Sequence, residues 1–352
     1  MKNRPCLQNL LLCAAAVTAC GDGMHFEAER GHSPTNATPA EAGEIPTTPR
    51  ADTPVTGTPD LGEGGAIRVT RRWSEGLALE VGAPRFVARG EIELQLEVLD
   101  PRTGRPLDGF GAEHLRFSEN GQDLGAETLF DIGRAQALEV VLVLDLSQSM
   151  AAAGAVDPLR RAAQTLVDAL PAGARLGVVE FATEARTTQV LTTDTGELKN
   201  ALEAATPPED RAGRFTNLWG AVKQATTLFS ETTEPPARVV FVFSDGRDNV
   251  AEIEFEAAKS AVVNAGAMVY AVGLGAELDA DALTELAGTT RYTETTDPDA
   301  LTSLFADVGA RIGEVLTVRY TTPKAHGTHL LGVQVTEGSR AAGFDVEFTL
   351  GE

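Results

Sequence analysis

The sequence predicts an α/β protein, in which a Rossmann-like domain with a mostly parallel central sheet flanked by helices is joined to a small β-sandwich. Three observations predict this fold class. Within residues 138–313, apolar runs alternate with segments of helical periodicity, which is typical of a parallel sheet covered on both faces. On either side of this region, short alternating strands are separated by turn residues. The chain of 352 residues is long enough for roughly two domains with extensions.

The N-terminus predicts a bacterial secretion signal that ends at a lipid-modified cysteine. Lys2 and Arg4 provide positive charge, and residues 10–19 form an apolar run that is too short to cross a bilayer. The run ends in the letters VTAC, in which the cysteine is Cys20, and this ending resembles the bacterial lipobox. We expect a signal peptide over residues 1–19 and a lipid on Cys20. The alternatives are an ordinary signal peptide or an apolar cytosolic N-terminus.

Residues 20–65 predict a flexible tether rich in Pro and Thr. Almost no large apolar residue occurs there, so the segment cannot bury enough surface to offset its ordering entropy. The cysteines Cys6, Cys13 and Cys20 all lie at or before the start of this tether, so they do not predict a disulfide framework. We expect a protein of the bacterial cell envelope that is lipid-anchored and extracytoplasmic, either periplasmic or on the cell surface.

Residues 66–135 predict a β module. Polar and apolar side chains alternate over residues 89–99, which indicates a half-buried strand. Asn120 and Gly121 follow another short strand and predict a hairpin turn. The strands predicted within residues 314–352 are expected to join this module, so that both flanks together build the β-sandwich.

Residues 138–313 predict the α/β domain itself. The strands are expected at 138–144, 175–181, 187–191, 238–243, 268–274 and 291–293, and the helices at 155–170, 217–229, 252–265, 280–287 and 298–312. The strand at 187–191 is expected to pair antiparallel. Sheets of this kind bind ligands beyond the carboxyl ends of their strands.

Oxygen-bearing side chains follow two of the apolar strands. The first strand ends in Asp145, and Ser147 and Ser149 follow at alternate positions. The other ends in the letters SDG, whose aspartate is Asp245, and Thr216 opens the helix that precedes this strand. Two carboxylates and three hydroxyls without sulfur or imidazole indicate a hard cation, Mg²⁺ or else Mn²⁺ or Ca²⁺. Taken alone, the pattern from Asp145 to Ser149 is also typical of a helix N-cap, and Thr216 by itself indicates a cap and Asp245 a turn.

Residues 138–313 resemble a von Willebrand factor A domain, and the residues that match its metal-ion-dependent adhesion site (MIDAS) are Asp145, Ser147, Ser149, Thr216 and Asp245. The resemblance implies that the hydroxyls are ligands and that the aspartates bind the metal directly or through water. It also implies that an Asp or Glu of a protein partner takes the last position. Gln148 replaces a frequent glycine, and Arg214 and Phe215 replace the usual Gly-Gly, so we expect these three residues to form the partner rim.

These features predict a membrane-tethered protein-binding module for adhesion or envelope assembly, without enzymatic activity. The net charge of -22 argues against nucleic-acid binding, and no small-molecule substrate is evident. One alternative is a structural envelope protein with a fold-stabilising metal site. A metal-assisted hydrolase is less favoured, because residues 138–313 contain no His or Cys to act as general base or nucleophile. His326 and His329 are predicted in a loop, with a zinc site as the alternative.

Overall fold

The computed structural model describes residues 64–351, apart from residues 108, 126–129, 135–136, 209–212, 232–235, 251–252 and 277. The predicted signal peptide over 1–19, the predicted lipidation of Cys20 and nearly all of the predicted tether over 20–65 lie outside the described residues. Within the part that is described, no helix has the length and apolar character needed to cross a membrane.

The N-terminal flank consists of short strands. These strands are β1 (Gly64–Glu75), β2 (Ala78–Val81), β3 (Arg85–Ala88), β4 (Glu91–Leu99), β5 (Leu115–Glu119), β6 (Gln122–Leu124) and β7 (Phe130–Arg134). Asn120 and Gly121 connect β5 to β6 with positive φ angles of 51° and 79°. Because Asn and Gly tolerate this conformation better than other residues, the predicted hairpin is confirmed.

The middle of the chain alternates strands with helices. In chain order, these are β8 (Leu138–Asp145), α1 (Gln148–Ala152), α2 (Val156–Ala169), β9 (Arg175–Phe181), β10 (Ala185–Thr192), α3 (Thr195–Ala204), α4 (Leu218–Thr226), β11 (Ala237–Ser244), α5 (Phe255–Ala265), β12 (Ala267–Leu274), α6 (Ala280–Ala287), β13 (Tyr292–Thr295) and α7 (Leu301–Gly313). The sequence did not predict α1 and α3. The other elements lie within a few residues of their predicted positions.

The central sheet has the strand order β10-β9-β8-β11-β12-β13. Only β10 among these strands pairs antiparallel, as predicted, and the remaining pairs are parallel. One face packs against α2, α3 and α7, and the other against α4, α5 and α6. Successive residues of β8 enter the two layers in turn, with Leu142 in the first and Val143 in the second. This burial on both faces explains the uninterrupted apolar run, and the predicted α/β fold class is confirmed.

The C-terminal flank returns to the N-terminal flank. It forms β14 (Leu316–Thr321), β15 (Gly327–Glu337) and β16 (Arg340–Leu350). β14 lies between β4 and β7, whereas β15 and β16 form a hairpin that pairs with β5 on one side and β1 on the other. The antiparallel sheets β1-β16-β15-β5-β6 and β2-β4-β14-β7 enclose one apolar core. The prediction that both flanks build one β structure is therefore confirmed.

β4 is buried on both faces, so the prediction of a half-buried strand is wrong. Its polar side chains Glu93, Gln95 and Glu97 are at most 3% exposed. Arginines cover two of them: Arg311 of α7 donates to Glu97 Oε1 from Nε at 3.2 Å and from Nη2 at 3.1 Å, whereas Glu93 accepts from Arg85 of β3 and Arg319 of β14. The alternation in the sequence reveals that the two faces differ in polarity, and it does not reveal what covers the polar face.

The two histidines of the C-terminal flank lie in different surroundings. His326 is exposed in the turn before β15, whereas His329 lies within β15 and is 2% exposed. His329 Nδ1 is 2.9 Å from Glu119 Oε1, and its ring stacks on Phe348 at a centroid distance of 4.9 Å. The prediction of a loop is therefore wrong for His329. Within the described ranges, no three His, Cys, Asp or Glu side chains are grouped to hold a metal ion.

Candidate metal centre

Asp145 is the innermost residue of the candidate site. It ends β8 and is completely buried. Its Oδ1 accepts a hydrogen bond from the backbone N–H of Ser147 at 2.9 Å, and its Oδ2 accepts one from Ser244 Oγ at 2.6 Å. Burial raises the pKa of Asp145, and the hydrogen bonds from both serines oppose that rise. Because Ser244 ends β11, this carboxylate joins the carboxyl ends of two neighbouring strands.

Ser147, Ser149 and Asp245 form the next part of the site. The Oγ atoms of Ser147 and Ser149 are 2.9 Å apart. Ser149 Oγ donates to Asp245 Oδ1 at 2.9 Å, and Ser147 Oγ is 3.5 Å from the same oxygen. The predicted convergence of alternate residues therefore occurs, and Ser147 precedes the first residue of α1. Burial and the negative charge of Asp145 together raise the pKa of Asp245 to about 6.

Thr216 reaches the same place from the loop before α4. It is 4% exposed, and a Cβ placed on Gly246 would lie 3.6 Å from its Oγ1. Two hydrogen bonds hold this loop against the one that follows β11. Thr216 N donates to Asn249 Oδ1 at 2.7 Å, and Asn249 N donates to the Thr216 carbonyl at 3.0 Å. The helix itself begins one residue later than predicted, because Asn217 caps it by accepting from Gly220 N at 3.1 Å.

An open cleft of about 680 Å³ lies over this cluster, and among its lining residues are Gln148, Ser149, Arg214, Thr216, Asp245 and Arg247. Asp145 and Ser147 lie behind the lining with exposures of 0% and 1%. Of the predicted rim residues, Gln148 and Arg214 line the cleft and are exposed. Phe215 is not part of the lining, although it follows Arg214 directly and is 48% exposed.

This set of donors fits a hard divalent cation. All of the converging side-chain groups are oxygens, which Mg²⁺, Mn²⁺ and Ca²⁺ prefer over sulfur or nitrogen. Burial raises the pKa of both Asp145 and Asp245, and the charge of Asp145 raises that of Asp245 further. Two negative charges are therefore unfavourable at this site when no cation is bound. A cation with two positive charges offsets both carboxylates, and the neutral hydroxyls add oxygens without adding charge.

Ser244, Arg247 and Asn249 are parts of the site to which sequence reasoning gave no role. All three lie within four positions of Asp245. Their position at the end of β11, next to Asp245, could have indicated a role, because residues that follow parallel strands lie at the same edge of the sheet. Their actual partners in neighbouring elements were not readable from the sequence.

Comparison with known families identifies the α/β part. Residues 139–307 match the von Willebrand factor type A domain. The chain contains a von Willebrand factor type A domain. The matched range includes every candidate ligand named above. The resemblance of this region to a von Willebrand factor A domain is confirmed, and the metal-ion-dependent adhesion site within it stays a prediction. Domains of this family typically mediate protein–protein interaction and bind a divalent metal at a MIDAS.

The domain has bacterial relatives of moderate identity. A UPF0353 protein from Nocardia farcinica is 39% identical over 119 residues, which cover 32% of this chain and 35% of that protein. A UPF0353 protein from Mycobacterium tuberculosis is 34% identical over 119 residues, which again cover 32% of this chain and 35% of that protein. The chain therefore spans about a third of the length of the curated relatives it matches.

A solved structure of similar fold is proximal thread matrix protein 1 from the mussel byssus, described as having a zinc-occupied MIDAS motif. It is 21% identical to this chain with a TM-score of 0.48, and the alignment covers 55% of this chain and 50% of the mussel protein.

Proposed function

We propose that this chain is a membrane-tethered, extracytoplasmic protein-binding module of a bacterial cell envelope that acts in adhesion or envelope assembly. Its von Willebrand factor type A domain holds Mg²⁺, or Mn²⁺ or Ca²⁺, through the side chains of Asp145, Ser147, Ser149, Thr216 and Asp245. The bound cation supplies a positive charge that accepts a carboxylate oxygen from an Asp or Glu of a partner protein.

The observation that carries this proposal is the one-sided burial of the oxygen cluster. Asp145, Ser147 and Thr216 are at most 4% exposed, whereas Ser149 is exposed and Asp245 is partly exposed at the cleft. A cation held by such a cluster is enclosed by protein on the inner side and reachable from the cleft on the outer side. An open coordination position of this kind suits an external ligand, whereas a metal that serves only stability is normally enclosed by protein ligands.

The hydroxyl and carboxylate residues of the site have different roles in binding the cation. The two serines and Thr216 contribute neutral oxygens, so two carboxylates balance the charge of the ion and leave it able to attract a third carboxylate. Asp145 anchors the cluster to both strand ends through its bonds with Ser147 and Ser244. This anchoring positions the ligands before a partner arrives.

Calorimetry with Mg²⁺ and Mn²⁺ tests the metal site. The wild type is expected to bind one ion per chain, and Asp145→Ala is expected to bind none because the innermost carboxylate is lost. Asp168→Ala removes an exposed carboxylate from α2 and is the matched control, which should bind as the wild type does. Equal binding by the wild type and Asp145→Ala would falsify the assignment of the site.

Partner capture tests the protein-binding role. A partner that is retained in Mg²⁺ and released by EDTA, and that Asp145→Ala does not retain, supports capture through the cation. A partner retained equally in EDTA and by the folded variant favours instead a structural protein whose metal only stabilises the fold.

The tether to the membrane rests on the sequence ending at Cys20, so it is tested separately. Mass spectrometry of the mature N-terminus is expected to find a diacylglycerol-modified Cys20, and Cys20→Ala is expected to leave the membrane fraction. Cofractionation of Cys20→Ala with the membrane to the same extent as the wild type contradicts the lipid anchor.

A further inference from the structure

Two arginines line the cleft from different loops. Arg214 precedes Thr216 before α4, and Arg247 follows Asp245 after β11. Both are exposed, and neither is ion-paired with an acidic side chain among the residues that the structure describes. Arg247 Nε donates to the backbone carbonyl of Leu278 at 3.2 Å, which orients its guanidinium group. The two positive charges at this cleft contrast with the net charge of -22 for the whole chain.

The loop that carries Arg214 is fixed on both sides. Phe215 N donates to Thr183 Oγ1 at 3.2 Å, and Thr216 N donates to Asn249 Oδ1 at 2.7 Å. Phe215 nevertheless keeps 48% of its surface exposed. Among the residues that the structure describes, the exposed large hydrophobic side chains are those of Val190, Phe215 and Leu330, and of these Phe215 is aromatic. An aromatic ring held out from a fixed loop costs little entropy to bury, which is why such residues are common contacts at protein interfaces.

From these observations we infer that the partner is an acidic protein segment that carries two carboxylates and an apolar side chain close together. One carboxylate binds the cation, the second pairs with Arg214 and Arg247, and the apolar side chain contacts Phe215. This inference rests on the proposed function, because the rim surrounds the same cation. A partner with one carboxylate leaves both guanidinium groups without a carboxylate, whose geometry the guanidinium fork matches.

Selection of a random-peptide display library in Mg²⁺ tests the inference. The wild type is expected to enrich peptides with at least two acidic residues and an aliphatic or aromatic residue. The double variant Arg214→Gln/Arg247→Gln is expected to enrich peptides with one acidic residue and to bind the wild-type peptides about tenfold more weakly, with about threefold from each arginine. Phe215→Ser is expected to lose the preference for the apolar residue.

Arg102→Gln is the matched control, because it removes the same charge from an arginine that is 87% exposed on the turn after β4. This control should enrich the same peptides as the wild type with unchanged affinity. The inference is wrong if the wild type enriches no acidic peptides or only peptides with one acidic residue. It is also wrong if the double variant enriches the same peptides as the wild type.

The outcomes separate this inference from the proposed function. Some peptides could be released by EDTA and fail to bind Asp145→Ala, yet bind the double arginine variant with normal affinity. This result contradicts the rim inference alone. Peptides that remain bound in EDTA and to Asp145→Ala contradict capture through the cation, whatever the arginine variants do.

Discussion

Asp145 and Asp245 carry the same charge within one site, yet their surroundings differ. Asp145 is completely buried and accepts hydrogen bonds through both carboxylate oxygens, whereas Asp245 is partly exposed and accepts from Ser149 at 2.9 Å. Burial raises both pKa values, and the charge of Asp145 adds to the rise for Asp245, which reaches about 6. Without a cation, the site therefore destabilises the folded chain once both carboxylates are ionised.

The metal-free protein is expected to lose stability as the pH rises between 3.8 and about 6, the ordinary and raised pKa values of Asp245. In this window the folded state still holds a proton that the unfolded state has released, so raising the pH favours unfolding. Asp245→Asn removes this titration and is expected to melt at a higher temperature than the wild type at pH 7. Thermal melting in EDTA from pH 4 to 8 measures both effects.

Other carboxylates also titrate in this range, so the difference between variants is the informative quantity. Asp168→Asn changes an exposed carboxylate of α2 and should follow the wild type across the pH series. Parallel melting curves for Asp245→Asn and the wild type contradict the raised pKa of Asp245. In Mg²⁺ the trend reverses, since proton and cation compete for the same oxygens and cation affinity increases with pH up to about 6.

At the scale of elements, the site depends on contact between two loops. The loop before α4 carries Thr216, the loop after β11 carries Asp245, and Asn249 joins them through hydrogen bonds of 2.7 and 3.0 Å. Asn249 is not one of the candidate ligands, so its contribution is to hold the Thr216 hydroxyl in place. Outer partners of this kind commonly matter nearly as much as the ligands themselves.

Asn249→Ala is expected to weaken Mg²⁺ binding by about tenfold, because Thr216 N loses its acceptor Oδ1 and only the backbone bond from Asn249 N remains. Calorimetry gives the affinity, and thermal melting in EDTA checks that the fold persists. Asn200→Ala removes an exposed amide from α3 and serves as the control with unchanged affinity. An affinity for Asn249→Ala equal to that of the control means that the loops hold their positions without this side chain.

The strand ends were predictable because their determinants are local. An apolar run buried on both faces marks β8 and β11, and the hydroxyls and carboxylates follow directly in the chain. The helices α1 and α3 were missed because α1 has only 5 residues and α3 buries only Leu198 and Leu202. Arg247 and Asn249 were missed because their roles depend on which strands are neighbours, and that depends on tertiary structure.

At the scale of the whole molecule, a buried layer of charges joins the β structure to the α/β domain. The side chain of Glu97 on β4 is 1% exposed, and its carboxylate lies 3.1 Å from Arg311 and 3.5 Å from Arg291. Arg291 also reaches Glu80 on β2 at 3.4 Å. The sequence could not predict this interface, because a polar face of a strand looks the same whether water or an arginine from a distant segment covers it.

Glu97→Ala is expected to lower the free energy of unfolding by about 3 kcal/mol, because it leaves Arg291 and Arg311, whose side chains are 9% and 12% exposed, without their shared carboxylate. Urea denaturation in EDTA measures the change. Glu347→Ala is the matched control: its partner Arg68 lies 2.6 Å away, but the side chains are 35% and 42% exposed. Solvent screening should keep that loss below about 1 kcal/mol. Equal losses for the two variants would mean that the charged layer between the two parts contributes no more than a surface ion pair.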